Sequence, residues 1–185
     1  MGGYESLLVY RLSVTIHDLT VVFCSRFLSR YEYKRTVEQM VQAARSGKQN
    51  LVEGSLEKSA EMNIKLTGVA RASFGELLED YRDFLRQNGL KLWMLTDQRV
   101  VRMREFKENI SEETSIKSLS NWTGLNLENS ENFANVMICL LFKENYLVDQ
   151  LLRSMEDKFV KEGGFRENLF KKRLNYKKLT TNYSN

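Results

Sequence analysis

Four carboxylates, Glu76, Glu79, Asp80 and Asp83, crowd one short stretch of the chain. If that stretch is helical, steps of three and four put Glu76, Asp80 and Asp83 on one face. Carboxylates so placed can hold a divalent cation, as in di-iron helical bundles, but those sites need a Glu-x-x-His from each of two helices. The chain has one histidine, His17, beside Ile16. It is read as a structural residue, since a metal site would need further histidine partners that do not exist. Arg71, Arg82 and Arg86 are placed to neutralise the carboxylates, within the helix or across an interface, so a solvated or salt-bridged face is expected, with no metal and no cofactor. Ser46-Gly47-Lys48 suggests a phosphate loop only superficially. The position five before Gly47 is Gln42 rather than Gly, and Lys48 is followed by Gln49 rather than Ser or Thr. Cys24 and Cys139 lie in the apolar stretches VVFCSRF and VMICLLF and are read as buried reduced thiols, a disulfide between their helices being the less usual arrangement. With no Ser/His/Asp or Cys/His arrangement to support hydrolysis, a non-enzymatic protein is expected.

The basic residues point elsewhere. Arg26, Arg30, Lys34, Arg35, Arg45 and Lys48 lie around one connection and along the helix that follows, opposed by Glu32 and Glu38. Tyr31 and Tyr33 sit among them and could stack on bases. A second group, Lys171, Lys172 and Arg173, falls in a basic C-terminal tail with Arg166, Lys177 and Lys178. Two readings remain open for these residues, a nucleic-acid surface and a solvated charged face. The net charge of +4 permits nucleic-acid binding without demanding it.

The elements that would position these residues are helices. The chain of 185 residues contains no proline, and 42% of it is hydrophobic, which suits uninterrupted helices around a packed core. Leu8, Leu12, Ile16, Leu19, Phe23 and Phe27 recur at helical spacing and predict a first helix over Glu5–Arg30. A second runs over Arg35–Ser55 and carries an anomaly, Gly47 among Ser46, Lys48, Gln49 and Asn50. A mid-helix glycine costs about 1 kcal/mol against alanine, so a close helix contact is expected there. The third covers Ser59–Gln87, with Ser59 as cap, Asn88-Gly89 as stop, and small residues from Gly68 to Gly75 that are expected to receive the second helix. Thr96–Glu108 predicts a short helix with Val100, Met103 and Phe106 inward. Asn109–Ser130 reads as an irregular insert anchored by Trp122 and Leu125. Glu131–Lys161 carries the strongest helical pattern and ends at Gly163-Gly164. The expected architecture is all-α, an antiparallel up-and-down four-helix bundle over residues 1–164 with a short extra helix, followed by a tail over 165–185. No apolar run reaches the length of a membrane span and no secretory leader is evident, so a cytoplasmic protein away from membranes is expected.

AARSGKQNLVEGS, KLTGVARASFGELLEDYRDFLRQNGLKLW, and ANVMICLLFKENYLVDQLL with EGGFRENL together carry a resemblance. From about Leu8 to Leu169 the chain resembles the four-helix-bundle suffix proteins, relatives of the proteins encoded in intervening sequences of bacterial 23S ribosomal RNA genes. Asn50, Glu53 and Gly54 match signature positions of that group. The resemblance implies a bundle that assembles as a ring, commonly a homopentamer. It also implies a distant kinship with the accessory variability determinant of diversity-generating retroelements, a basic pentameric barrel that binds nucleic acid and a reverse transcriptase. It implies no catalytic residue. Lys48, Gln49, Asn50 and Glu53 are then expected at a subunit interface or ring lumen. The alternative is a protein–protein adaptor or scaffold that binds a partner through the tail and the Asn109–Ser130 insert, without nucleic acid.

Overall fold

A computed structural model of the chain describes residues 3–104 and 124–182. It is all-helical, with no strand among the described residues. In chain order the helices are α1 (Leu8–Phe27), α2 (Lys34–Leu56), α3 (Ala60–Gln87), α4 (Gln98–Arg104), α5 (Ser130–Glu162) and α6 (Phe165–Asn182). α1 packs on α2, α2 on α3, α3 on α5, and α5 back on α1, while α4 rests on α5.

The apolar stripes read from the sequence meet in one core. Leu12, Ile16 and Phe23 enter it from α1, Met40, Ala44 and Leu51 from α2, Phe74, Leu77 and Tyr81 from α3, and Phe133, Met137 and Leu141 from α5. Phe23 is the hub of an aromatic cluster. Its ring centroid lies 4.9 Å from Tyr81, 4.9 Å from Phe84 and 5.5 Å from Phe133, edge-on in each case, the favoured arrangement for aromatic pairs. The Tyr81 hydroxyl reaches Thr20 Oγ1 at 3.1 Å, so this buried aromatic also has a polar partner. α1 is long and apolar enough to cross a membrane by length and composition, and half of its most apolar stretch is buried inside the protein.

Local capping explains the ends of α3 and α5. Ser59 Oγ accepts the Met62 N–H at 3.3 Å to start α3, as expected. Gly89 follows the end of α3 at φ 64° and Gly163 ends α5 at φ 75°, the left-handed conformation that glycine adopts without strain. Asn129 Oδ1 accepts the Asn132 N–H at 3.0 Å to start α5. α1 is shorter than expected at both ends. It is preceded by a 3₁₀ turn over Tyr4–Ser6, and a second such turn, Tyr31–Tyr33, fills the link to α2. Of the short helix expected over 96–108, Gln98–Arg104 is helical with Val100 and Met103 buried, while Phe106 lies outside the described residues. Most of the expected insert, including Trp122, also lies outside them. Leu125 packs against the core and Leu127 is buried. The tail is helical over Phe165–Asn182.

The glycines behave differently from the expected small-residue seam. A Cβ at Gly47 would stand 2.5 Å from the Phe74 ring, so the close contact is real, but the partner is a large aromatic. Nothing lies within 4 Å of a Cβ at Gly68, and only the Arg71 guanidinium, at 3.6 Å, would meet one at Gly75. Those two glycines face away from α2, and Ala70 and Ser73 are the small residues buried between the helices.

Candidate nucleic-acid and assembly surfaces

The residues with chemical potential are used in three ways. Cys24 and Cys139 are free thiols. Burial pushes Cys24 up to about 12, helped by the Asp80 charge, and Cys139 up to about 11, so both stay protonated and unreactive near neutrality. His17 Nδ1 lies 3.0 Å from its neighbour Asp18. No group of three or more His, Cys, Asp or Glu among the described residues is placed to hold a metal ion.

The polar interruption in α2 is a small hydrogen-bonded relay. Asn50 Nδ2 donates to the Ser46 carbonyl at 2.9 Å and to Ser46 Oγ at 3.2 Å, and Ser46 Oγ lies 3.0 Å from Ser73 Oγ on α3. The relay ties α2 to α3 beside Gly47. Gly54 sits where a Cβ would press on Asn63 and Leu66 at the start of α3. Two of the three signature positions, Asn50 and Gly54, therefore serve the α2–α3 contact, while Glu53 faces solvent.

The basic residues divide into two groups that one copy does not bring together. Arg26 is engaged, with Nη1 2.8 Å from Glu128 and 3.4 Å from the Leu127 carbonyl, which pins the approach to α5 against α1. Arg30 pairs with Glu32 at 3.5 Å. Lys34, Arg35 and Arg45 are exposed, Lys48 is half-buried, and none of the four has an ion-pair partner among the described residues. Tyr31 is 90% exposed beside Lys34, whereas Tyr33 packs against the core, so one of the two tyrosines is free to stack. Lys171, Lys172 and Arg173 are exposed on α6. The Arg26 group sits near the start of α5 and α6 follows its end. At about 1.5 Å per residue, the 33 residues of α5 span roughly 50 Å from the Arg26 end of the first group to the start of α6, with Arg45 and Lys48 part-way along that distance on α2.

Two grooves complete the picture. The first lies between α2 and α3 and is lined by Arg35, Val37, Glu38, Val41, Glu76 and Asp80. Arg82 pairs with Glu79 and Arg86 with Asp83, as the spacing predicts, but Arg71 reaches across to Asp149 of α5 at 2.8 Å instead. Glu38, Glu76 and Asp80 have no ion pair among the described residues, and burial, then Asp83 and Glu76, raise the Asp80 carboxyl to about 6. The second groove lies between α5 and the segment after α3. Its walls include Leu92, Met94, Leu95 and Phe142, all exposed, Met94 at 74% and Leu95 at 66%. The Arg82 guanidinium caps the Phe142 ring at 5.2 Å and Arg99 covers Trp93 at 4.0 Å.

Asn135 carries no sequence signature and holds this segment in place. Its Oδ1 accepts the Trp93 N–H at 2.8 Å and its Nδ2 donates to the Lys91 carbonyl at 2.8 Å, while Glu131 accepts the Lys91 N–H at 3.0 Å. The one available hint was an asparagine in an otherwise apolar helical face. In comparisons with family models, curated proteins and solved structures, nothing matches this chain.

Proposed function

We propose that the chain is a non-enzymatic, homo-oligomeric assembly protein, built as an antiparallel up-and-down four-helix bundle from α1, α2, α3 and α5. The closed cycle of helix contacts supports the bundle. The observation that carries the assembly is the apolar groove in which Leu92, Met94, Leu95 and Phe142 stand exposed side by side, a contiguous apolar surface of the kind that marks an interaction site. Asn135 anchors the backbone of one wall at Lys91 and Trp93. Resemblance to the four-helix-bundle suffix proteins favours a closed pentameric ring.

The test is a solution mass by light scattering on wild type and on a variant carrying Leu95→Glu with Phe142→Glu. An oligomer that the double variant shifts to smaller species is expected. A wild-type monomer at every concentration rejects the proposal.

A second reading, nucleic-acid binding, is favoured by Tyr31 standing exposed among Arg30, Lys34 and Arg35. Symmetry would repeat that modest patch around one axis. Fluorescence anisotropy with an RNA hairpin and a DNA duplex at low salt checks it. Binding that falls steeply with salt and is lost in Lys34→Glu with Arg35→Glu is expected, and no affinity for either probe sinks it.

A further inference from the structure

We propose that α6 of one copy docks in the α2–α3 groove of a second copy, with its cations facing Glu38, Glu76 and Asp80 and its apolar stripe on Val37 and Val41. This contact rests on the self-association proposed above and names the surfaces that make part of it.

The first observation is α6 itself. It leaves α5 through Gly163-Gly164 and makes no substantial packing with any other helix among the described residues. Phe165, Leu169, Phe170 and Leu174 on it are exposed. An isolated helix of 18 residues is marginal in water and takes its stability from burying an apolar face. At 100° per residue Phe170 and Leu174 form one stripe, flanked by Arg166 and Arg173 on one side and Lys171 on the other.

The second observation is the groove. Its floor carries Val37 and Val41, with Arg35 and Glu38 on the α2 side and Glu76 and Asp80 on the α3 side, so acidic groups are in excess along it. These carboxylates have no ion pair among the described residues, and Asp80 is held above its ordinary range by burial, Asp83 and Glu76. An apolar line bordered by cations thus meets an apolar line bordered by anions. Lengths agree as well. The groove runs along α2 from Arg35 to Ser46, about three helical turns, and α6 supplies that length and more. In one chain α6 is not in the groove. It starts beside Glu61 at the first turn of α3, whose side chain its Arg166 faces, while the groove opens further along α3 at Ser73. A second copy is therefore the fitting occupant.

Disulfide trapping tests this on the full-length chain. Gln42→Cys protein, with its thiol in the groove, is mixed with Leu174→Cys protein under mild oxidation, the native Cys24 being buried, Cys139 half-buried, and both protonated near neutrality. A covalent heterodimer of the two variants is expected, with none when Asp18→Cys on α1 replaces Gln42→Cys. Adding Glu38→Lys, Glu76→Lys and Asp80→Lys to the groove chain should cut the yield about tenfold or more. Lys171→Glu with Arg173→Glu on the other chain should restore it. Far-UV circular dichroism confirms that each variant is helical. An internal disulfide at monomer mass in the Gln42→Cys, Leu174→Cys chain would overturn the proposal in favour of docking within one copy. No trapped dimer, with Lys171→Glu and Arg173→Glu abolishing affinity for a DNA duplex, would overturn it in favour of nucleic acid. An oligomer that persists without any trapped dimer removes this contact alone, whereas a wild-type monomer removes the assembly as well.

Discussion

Gly47 shows how one missing methyl decides a helix contact. Replacing a mid-helix glycine by alanine stabilises a helix by about 1 kcal/mol when nothing opposes it. At Gly47 the new Cβ would meet the fully buried Phe74 ring, and overpacking of that kind costs about 1–3 kcal/mol. Gly47→Ala should therefore lose stability, by about 1–2 kcal/mol once ring displacement is included, with partial recovery when Phe74→Leu is added. Gly68→Ala, with open space around it, should gain about 0.5–1 kcal/mol. Urea denaturation of both separates close approach from mere tolerance, and equal effects would sink the distinction. Asp80 offers a second test at this scale. Its carboxyl is faced by Asp83 and Glu76 on its own helix, by Arg35 and Glu38 from α2, and by Cys24 from α1. Its folded pKa of about 6 lies above the ordinary 3.8, so the folded chain binds the extra proton and stability falls as pH rises between those values. Full conversion would give about 3 kcal/mol, and screening at this half-buried group reduces it to about 1 kcal/mol. Asp80→Asn should raise stability by that amount at pH 7.5 and leave it unchanged near pH 3.5, measured at dilutions where the chain is monomeric. An effect equal at both pH values would show that the carboxyl is unstrained.

At the scale of elements, the segment between α3 and α4 hangs on α5 through Asn135. Asn135→Ala would leave the buried Trp93 N–H without a partner and release the Lys91 carbonyl to solvent, at a cost of about 1–3 kcal/mol. Hydrogen exchange should show protection lost at the Trp93 amide while α1 amides keep theirs. Retained protection at Trp93 would mean that packing of the indole, not the clamp, holds the segment. The same helices show what the sequence makes legible. Ends set by a local signal were readable, because Ser59, Asn88-Gly89 and Gly163 act within a few residues of themselves. The apolar stripes were readable because burial imposes their period. The partner of Gly47 was not, since a glycine announces a close approach without saying whether a backbone or a Phe74 ring makes it. Arg71, expected to neutralise the α3 carboxylates within the helix or across an interface, pairs with Asp149 of α5 instead, a choice made by the neighbouring helix. The candidate surface was legible as composition and not as geometry. The sequence showed two basic groups, while the length of α5 between Arg26 and the tail, and the ion pairs that engage Arg26 and Arg30, belong to the folded chain.

For the whole molecule, the two proposed contacts differ in the forces that drive them, and that difference can be measured. The groove of Leu92, Met94, Leu95 and Phe142 associates by burying apolar surface, which salt does not screen. The α6 contact depends on cations meeting Glu38, Glu76 and Asp80, and raising salt from about 0.1 M to 1 M shortens the screening length from about 10 Å to about 3 Å. The α6 contact is also heterologous, one surface on each copy, so repetition closes a ring or runs on as a filament. A five-membered ring of 21.7 kDa chains has a mass of about 109 kDa. Analytical ultracentrifugation at 0.1 M salt should find one species near that mass, unchanged as concentration rises. At 1 M salt it should fall to smaller oligomers held by the apolar groove rather than to monomers. Removing that groove with Leu95→Glu and Phe142→Glu should then carry the high-salt species down to monomer. Continuous growth with concentration would reject closure, and a mass indifferent to salt would reject the electrostatic part of the α6 contact while leaving the apolar one standing.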